Sequence, residues 1–317
     1  MPSDPLVYIS VLNWNRPDQT LACLKSLESL EYDHYHIVVV DNASQDDSVA
    51  LLSGIEHVSF IQSAENRGYA GGHQLAAECA QADGAQLLWI LNNDLTVQPD
   101  TLRELVTAYQ ANPSGIYGSV PLQSASITDI DSAAVQFPRK YFRMPFRQQL
   151  FVLRPYDTYH RLFPERRPQA VASLSGASLL IPLRVIEQYG FMDTSYFLYL
   201  EEVDYCFRLR QHNIPSIVVP TSIVFHRRSQ SSEENEAVKC MIIYYRTRNQ
   251  LLFIRRYNAS FFFVWGLLRN IFMFVLVCLT KGRSGRRRSK CILRGSLDAI
   301  SNKRGKTFAP EDAPRPG

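Results

Sequence analysis

The sequence predicts an α/β protein with a mostly parallel central sheet flanked by helices, followed by a basic helical extension. Two observations lead there. Short apolar runs alternate with helix-like segments through the first 120 residues, the mark of strand–helix–strand units whose sheet is covered on both faces. Charge is also divided: residues 1–240 hold 18 Lys/Arg against 27 Asp/Glu, a net of −9, whereas residues 241–317 hold 16 against 3, a net of +13. With 317 residues, 46% hydrophobic and 20% charged, the chain can bury one large or two ordinary cores. That composition excludes disorder, collagen-like repeats and small disulfide scaffolds.

The elements follow in order. Val7–Leu12, Ile37–Val40, Val58–Ile61 and Leu87–Leu91 are short, β-branched or Leu-rich runs and read as buried strands. Pro17 opens a helix to Leu30 with Leu21, Leu24 and Leu27 on one face. Ser44 is a candidate cap for a short helix with Asp46 and Asp47 in its first turn. Gly71–Ala82 and Pro99–Asn112 supply two more helices. Residues 137–168 interleave aromatics with eight basic residues and read as an insertion that binds acceptor phosphates or membrane, or is a mobile surface loop. A helix near 201–213 and strands near 216–219 and 222–226 follow, with helices from about 234. The expected division is a catalytic domain over 1–233 and a helical region over 234–317.

In parallel sheets ligands bind at the carboxyl ends of strands, and there the sequence is polar or glycine-rich. Strand one ends in Asn13-Trp14-Asn15-Arg16 and strand two in Asp41-Asn42-Ala43-Ser44. Strand three leads to Asn66-Arg67-Gly68-Tyr69-Ala70-Gly71-Gly72 and strand four to Asn92-Asn93-Asp94. The Asp41 carboxylate can accept the imide N–H of uracil or thymine. The glycines admit close backbone approach, and a helix N-terminus behind them favours phosphate. Asp94 offers a hard oxygen suited to Mg²⁺ or Mn²⁺. Each site has a plainer reading, as an Asx turn, a tight turn or loop chemistry; their succession at four strand ends favours the nucleotide. Farther on, Glu201, Glu202 and Asp204 crowd the start of a helix behind Phe197-Leu198-Tyr199-Leu200. That suits the helix dipole, with Asp204–Arg208 an i,i+4 pair, and an apolar approach is also how a general base is raised toward neutral pKa. His226 ends a strand some twenty residues later and can complete a metal site with Asp94.

The ordered series LNWNRP, VVVDNASQDDS, NRGYAGGHQ, LLNND, SGASLL and FLYLEEVDYCFR, across roughly residues 6–228, resembles the inverting family 2 glycosyltransferases of the GT-A fold. It is most similar to bacterial rhamnosyltransferases that build O-antigen and other cell-surface polysaccharides. Tyr245-Arg246-Thr247-Arg248-Asn249 and Gly295-Ser296-Leu297-Asp298 resemble the same subgroup. The resemblance implies a nucleotide site of Asn13, Asn15, Asp41, Asn66, Arg67, Gly68, Gly72 and Asn93, with Asp41 on the base. It implies Gly176, Ala177 and Tyr199 along the donor or acceptor sugar, and Asp94 with His226 on a divalent metal. Glu202 takes the catalytic-base position. The family usually has Asp there, so the base stays open between Glu202, Glu201 and Asp204; one carboxylate in Asn92-Asn93-Asp94 implies modest metal affinity. The implied partners are dTDP-rhamnose or a UDP-sugar and a lipid-linked glycan acceptor.

Phe261–Leu279 is 19 residues long with 13 Leu, Ile, Phe and Val, nearly enough to span hydrocarbon. A single crossing from the cytosol would put Lys281, Arg283, Arg286, Arg287, Arg288 and Lys290 outside, against the positive-inside tendency. Gly266, Arg269, Asn270 and Met273 form one stripe, as an in-plane helix would show. A membrane-surface helix with a polybasic segment over 281–290 for anionic lipid is therefore favoured over a buried core helix. Nothing accompanies the charge that reads as a nucleic-acid-binding fold. MPSDPLVYISVLNWNR lacks the basic and apolar runs of a signal peptide, and six scattered cysteines suit a reducing cytosol; the expectation is a cytoplasmic protein on the inner face of the membrane. Two other classes compete. A non-catalytic assembly subunit would show no turnover. A sugar-phosphate nucleotidyltransferase would need a Gly-rich basic loop where Asn13-Trp14-Asn15-Arg16 stands.

Overall fold

The computed structural model describes residues 4–122, 159, 163–226, 236–257, 260–280 and 282–309. Residues 137–158 and 160–162 of the expected insertion lie outside the described residues, as does Lys281. The chain forms two compact units: the first takes the described residues up to Met192 and from Tyr205 to His226, the second Asp193–Asp204 and everything from Glu236.

The first unit is a sheet with helices. Its strands are β1 (Val7–Asn13), β2 (Tyr35–Asp41), β3 (Val58–Gln62), β4 (Leu87–Asn92), β5 (Leu95–Val97), β6 (Ile116–Leu122), β7 (Gln169–Val171), β8 (Ser178–Pro182) and β9 (Ser216–His226). Its helices are α1 (Pro17–Leu27), α2 (Ser48–Leu52), α3 (Gly68–Ala82), α4 (Thr101–Ala111) and α5 (Leu183–Tyr189). The helix α6 (Glu201–Gln211) gives Glu201–Asp204 to the second unit and Tyr205–Gln211 to the first. Strand order is β3-β2-β1-β4-β8-β6-β9-β5, with β7 also on β9. Only the β3-β2-β1-β4 half is wholly parallel; β8 runs antiparallel to β4 and β6, and β5 and β7 antiparallel to β9. The expected mostly parallel sheet is thus mixed, with β8 paired antiparallel between β4 and β6. Both faces are covered: Leu88 and Ile90 of β4 join one apolar core while Leu87, Trp89 and Leu91 join the other.

Three local expectations change. The two strands near 216–219 and 222–226 are one, its register against β6 shifting between Gly118 and Val120. Ser44 does not cap α2. Asp47 occupies the N-cap, and the Ser44 hydroxyl is committed to Asp41 at 2.5 Å. Leu24 and Leu27 are buried on α1 with Thr20 and Cys23, but Leu21 is exposed.

The second unit is built on α7 (Glu236–Tyr257), α8 (Ser260–Thr280) and α9 (Gly282–Ile300), with a 3-10 turn at Thr194–Tyr196. α9 crosses α7 at Gly295, where an added Cβ would lie 2.7 Å from the Tyr244 carbonyl oxygen. Because backbone cannot yield as a side chain does, Gly295→Ala is expected to cost about 1–3 kcal/mol, read as a lower urea midpoint with the secondary structure retained. α8 is long and apolar enough to cross a membrane by length and composition, yet its polar stripe faces protein. Asn270 is buried and donates to Ser296 Oγ at 3.1 Å; Arg269 donates to Gln250 Oε1 at 2.6 Å and to Asn270 Oδ1. Gly266 lies against Leu251 and Ile254 of α7. Gly266, Arg269 and Asn270 of the expected stripe are thus turned inward, whereas Met273, Leu268, Ile271, Phe272, Val275 and Leu279 are exposed. That arrangement is inside-out for a helix in water.

Candidate functional site

In the first unit the ends of β1, β2 and β4 are joined by one run of hydrogen bonds. Asn93 Nδ2 donates to Thr20 Oγ1 (2.9 Å), and Thr20 Oγ1 donates to Asn13 Oδ1 (2.7 Å). Asn13 Nδ2 donates to Asp41 Oδ1 (2.9 Å) and to Ser44 Oγ (3.2 Å). The Asn15 amide donates to Ser44 Oγ at 2.9 Å, while its side-chain oxygen accepts the Gln45 N–H at 2.7 Å. Parallel register explains the meeting, since Asn13 stands opposite Asp41 and Leu12 opposite Asn92. Four of the predicted nucleotide residues, Asn13, Asn15, Asp41 and Asn93, therefore share one network. Asp41 is fully buried, its Oδ1 taken by Asn13 and Ser44 and its Oδ2 accepting the Ser44 N–H at 3.0 Å.

Asn42 stitches the next loop in place. Its side chain accepts the Arg67 N–H at 2.9 Å and donates to Asn66 Oδ1 (3.2 Å) and the Gly68 carbonyl (3.0 Å). Asn66 Oδ1 accepts the Gly68 N–H at 2.9 Å. Gly68 opens α3 at φ 72°, where a side chain would strain the backbone, and α3 accordingly starts three residues before the expected Gly71. Arg67 is exposed at the N-cap. Gly72 serves packing, because a Cβ there would lie 2.3 Å from Leu12 Cδ1; its absence lets α3 lie against β1.

Asp94 and His226 meet, with His226 Nε2 and Asp94 Oδ2 2.7 Å apart. Their strands bring this about, since β5 pairs with β9 with Leu95 opposite His226. Asp94 Oδ1 is buried with no hydrogen-bond partner among the described residues. Such an oxygen fits a divalent cation, and a neutral imidazole is a second ligand. Among the described residues no group of three or more His, Cys, Asp or Glu side chains gathers for a metal, and Asp94 with His226 is a two-ligand set. The loop of Gly176 and Ala177 joins this end of the sheet: the Tyr69 hydroxyl donates to the Gly176 carbonyl, and Asn92 N–H donates to the Ala177 carbonyl at 2.9 Å.

The carboxylates lie in the second unit. Glu201 is buried, and its Oε2 has no partner among the described residues. Burial raises its pKa and the neighbouring Glu202 charge raises it further. Half-buried Glu202 is raised by burial, with its backbone N–H and the Arg246 guanidinium opposing. Asp204 is fully buried and internally engaged, accepting from the Tyr196 hydroxyl at 3.1 Å and lying 3.4 Å from Arg256 Nη1, which also pairs with Asp193 at 2.7 Å. The expected Asp204–Arg208 pair is replaced: Arg208 donates to the Tyr189 and Phe191 carbonyls. Tyr199 stacks under the Arg246 guanidinium, 4.8 Å from ring centre to Cζ. The sequence reading missed Thr20, Asn42 and Ser44 as site residues, although Asn42 and Ser44 sit in the motif it quoted.

The pattern that defines glycosyl transferase family 2 matches residues 8–163. A 199-residue stretch, 60% of this chain and 58% of the relative, is 27% identical to the low-salt glycan biosynthesis hexosyltransferase Agl10 of Haloferax volcanii. A 101-residue stretch is 33% identical to the N-acetylglucosaminyl-diphospho-decaprenol L-rhamnosyltransferase of Mycobacterium tuberculosis, covering 32% of this chain and 29% of that protein. The chain thus spans less than two thirds of either relative. Among solved structures, a mannosyltransferase from Pyrobaculum calidifontis in complex with GDP-Man and Mn²⁺ has a TM-score of 0.55 at 12% identity, over 95% of this chain and 89% of that one. GalNAc-T7 with UDP, GalNAc and Mn²⁺ has a TM-score of 0.54 at 13% identity, over 86% and 58%. Those likenesses establish the GT-A fold, and the sequence of residues 8–163 is that of glycosyl transferase family 2.

Proposed function

We propose that the protein is an inverting transferase that moves a sugar from a nucleotide-diphosphate donor to a hydroxyl of a lipid-linked glycan in cell-surface polysaccharide synthesis. The donor we favour is dTDP-L-rhamnose, followed by UDP-hexoses. The observation that carries this reading is the Asp94–His226 pair with its open Asp94 Oδ1, set at the sheet end where Asn13, Asp41 and Asn93 are linked. The mycobacterial relative's name, which specifies L-rhamnosyl transfer onto N-acetylglucosaminyl-diphospho-decaprenol, supports both sugar and acceptor class.

In this mechanism the β2 and α3 loops hold the nucleotide, with the Asn13–Asp41–Ser44 network fixing the base-side loop and the start of α3 facing phosphate. Asp94 and His226 would hold Mg²⁺ or Mn²⁺, which when bound would supply positive charge to the leaving diphosphate. Glu202 takes the proton of the acceptor hydroxyl as its oxygen bonds to the anomeric carbon. The bond from that carbon to the diphosphate oxygen breaks on the opposite face, so configuration inverts. Asp204, held by Arg256, is left out of this chemistry. The inside-out α8 with the basic α9 supports peripheral attachment to the inner face of the cell membrane.

Thermal unfolding with dTDP, UDP and GDP, each with Mg²⁺ or Mn²⁺ and again with chelator, tests the reading. At 100 times Kd the bound nucleotide is expected to stabilise by about 2.7 kcal/mol, with dTDP strongest and most of the effect lost on chelation or in Asp94→Ala. No shift with any nucleotide, with and without membranes, overturns it.

A further inference from the structure

α7 carries the Tyr245-Arg246-Thr247-Arg248-Asn249 run, none of which takes part in the mechanism above, although the Arg246 charge acts on Glu202. Arg248 and Asn249 are both fully buried in the middle of a helix, and neither has a carboxylate in hydrogen-bond contact among the described residues. Asn249 Nδ2 and Arg248 Nη2 both donate to backbone carbonyls of one short segment. Asn249 Nδ2 reaches the carbonyls of Tyr196 (3.0 Å), Leu198 (2.8 Å) and Tyr199 (2.8 Å). Arg248 Nη2 reaches the Tyr196 carbonyl at 2.8 Å, and its Nε donates to Asn249 Oδ1 at 2.9 Å, which fixes the amide with its donors toward the segment. Arg248 Nη1 extends the hold to the Gly305 carbonyl (2.7 Å) and Thr307 Oγ1 (2.5 Å), and the Gly305 N–H returns to the Ser195 carbonyl at 2.6 Å.

The segment so gripped is strained. Phe197, Tyr199 and Leu200 have φ of 65°, 68° and 77°, left-handed values that bulky side chains adopt only when their surroundings impose them. Glu201 and Glu202 follow immediately. With three of four residues in that region, the segment turns its carbonyls toward α7 and sets the direction in which α6 starts.

We propose that Arg248 and Asn249 are positioning residues of the transfer reaction, clamping the strained Phe197–Leu200 segment so that Glu202 is presented to the acceptor hydroxyl. The proposal rests on the assignment of Glu202 as the base. It makes the carboxyl-terminal helices part of the catalytic apparatus as well as its carrier.

The experiment uses the full chain and two readouts. Hydrogen exchange of peptides over 194–204 reads the clamp without activity: Asn249→Ala is expected to speed exchange there while the β1–β4 sheet stays protected. Transfer kinetics reads the positioning: kcat is expected to fall about 100-fold, the scale of a 1 Å misplacement, with donor KM within about twofold. Leu200→Gly removes the left-handed penalty and is expected to restore at least tenfold of kcat in the Asn249→Ala background, a rescue that a merely structural role would not give. Should Asn249→Ala not fold, Asn249→Ser, which keeps one donor, replaces it. Unchanged exchange over 194–204 overturns the clamp, and faster exchange with kcat within twofold of wild type overturns the positioning role. A wild-type chain without transferase activity counts against the functional reading, and a fully active Glu202→Gln against Glu202 as the base, while exchange still decides the clamp.

Discussion

Glu202→Gln is expected to lower kcat by about 10²–10⁴-fold, the range a general base contributes, with the unfolding midpoint and donor KM close to wild type. The amide keeps the shape and removes only the proton acceptor. Burial raises the pKa of both adjacent carboxyls, and the charge on Glu202 raises Glu201 further. Of the two, Glu202 is the more exposed and has Arg246 beside it favouring its ionised form. A base works when deprotonated, so the rate should fall as pH drops through its pKa, and a raised pKa brings that fall closer to neutrality than an ordinary carboxylate would. Arg246→Gln removes the opposing cation and should move the acidic limb to higher pH. Glu201→Gln inactive beside an active Glu202→Gln would transfer the role to Glu201. Asp204→Asn should act on stability through the Arg256 pair and leave the acidic limb in place.

Most of the first unit was legible because its physics is local. β1, β2 and β4 are apolar runs bounded by polar strand ends, and parallel register then forces Asn13, Asp41 and Asn92 to one edge. Asp94 and His226 were named from the sequence, but their 2.7 Å contact depends on β5, a three-residue strand too short to show periodicity. β6, β7 and β8 were missed for a related reason: Ser178–Pro182 is fully buried and brief, and only its partners define it. Ser44 was misread because a serine near the start of a helix looks the same whether its hydroxyl serves a helix N–H or a buried aspartate. Nor did the pattern reveal the strain at Phe197–Leu200, since nothing in that apolar aromatic run signals left-handed backbone; its cause lies some fifty residues away in Arg248 and Asn249.

Leu268→Glu combined with Phe272→Glu is expected to abolish binding to vesicles containing anionic lipid. Both side chains are more than half exposed, so removing them leaves no cavity and folding should be unchanged. Each apolar side chain contributes about 1.5–3 kcal/mol when buried, so the pair should weaken partitioning at least 100-fold. The same geometry argues against a crossing. α9 returns antiparallel along α8, with Ser296 at Asn270 and Ala299 in one apolar cluster with Phe263 and Leu267. A spanning α8 would draw Arg286, Arg287, Arg288, Lys290 and Arg294 toward hydrocarbon, at about 3 kcal/mol for each cation at the centre. Nor can α8 leave the layer alone, because Arg269 and Asn270 would lose Gln250 and Ser296. With α8 in plane, the exposed Arg286, Lys290 and Arg294 add about 1 kcal/mol apiece near anionic headgroups. High salt should therefore weaken binding without abolishing it, and alkaline carbonate should release the wild-type protein. Retention in carbonate-washed membranes would mean that α8 spans. Unchanged vesicle binding by the double variant would mean that another surface holds the membrane.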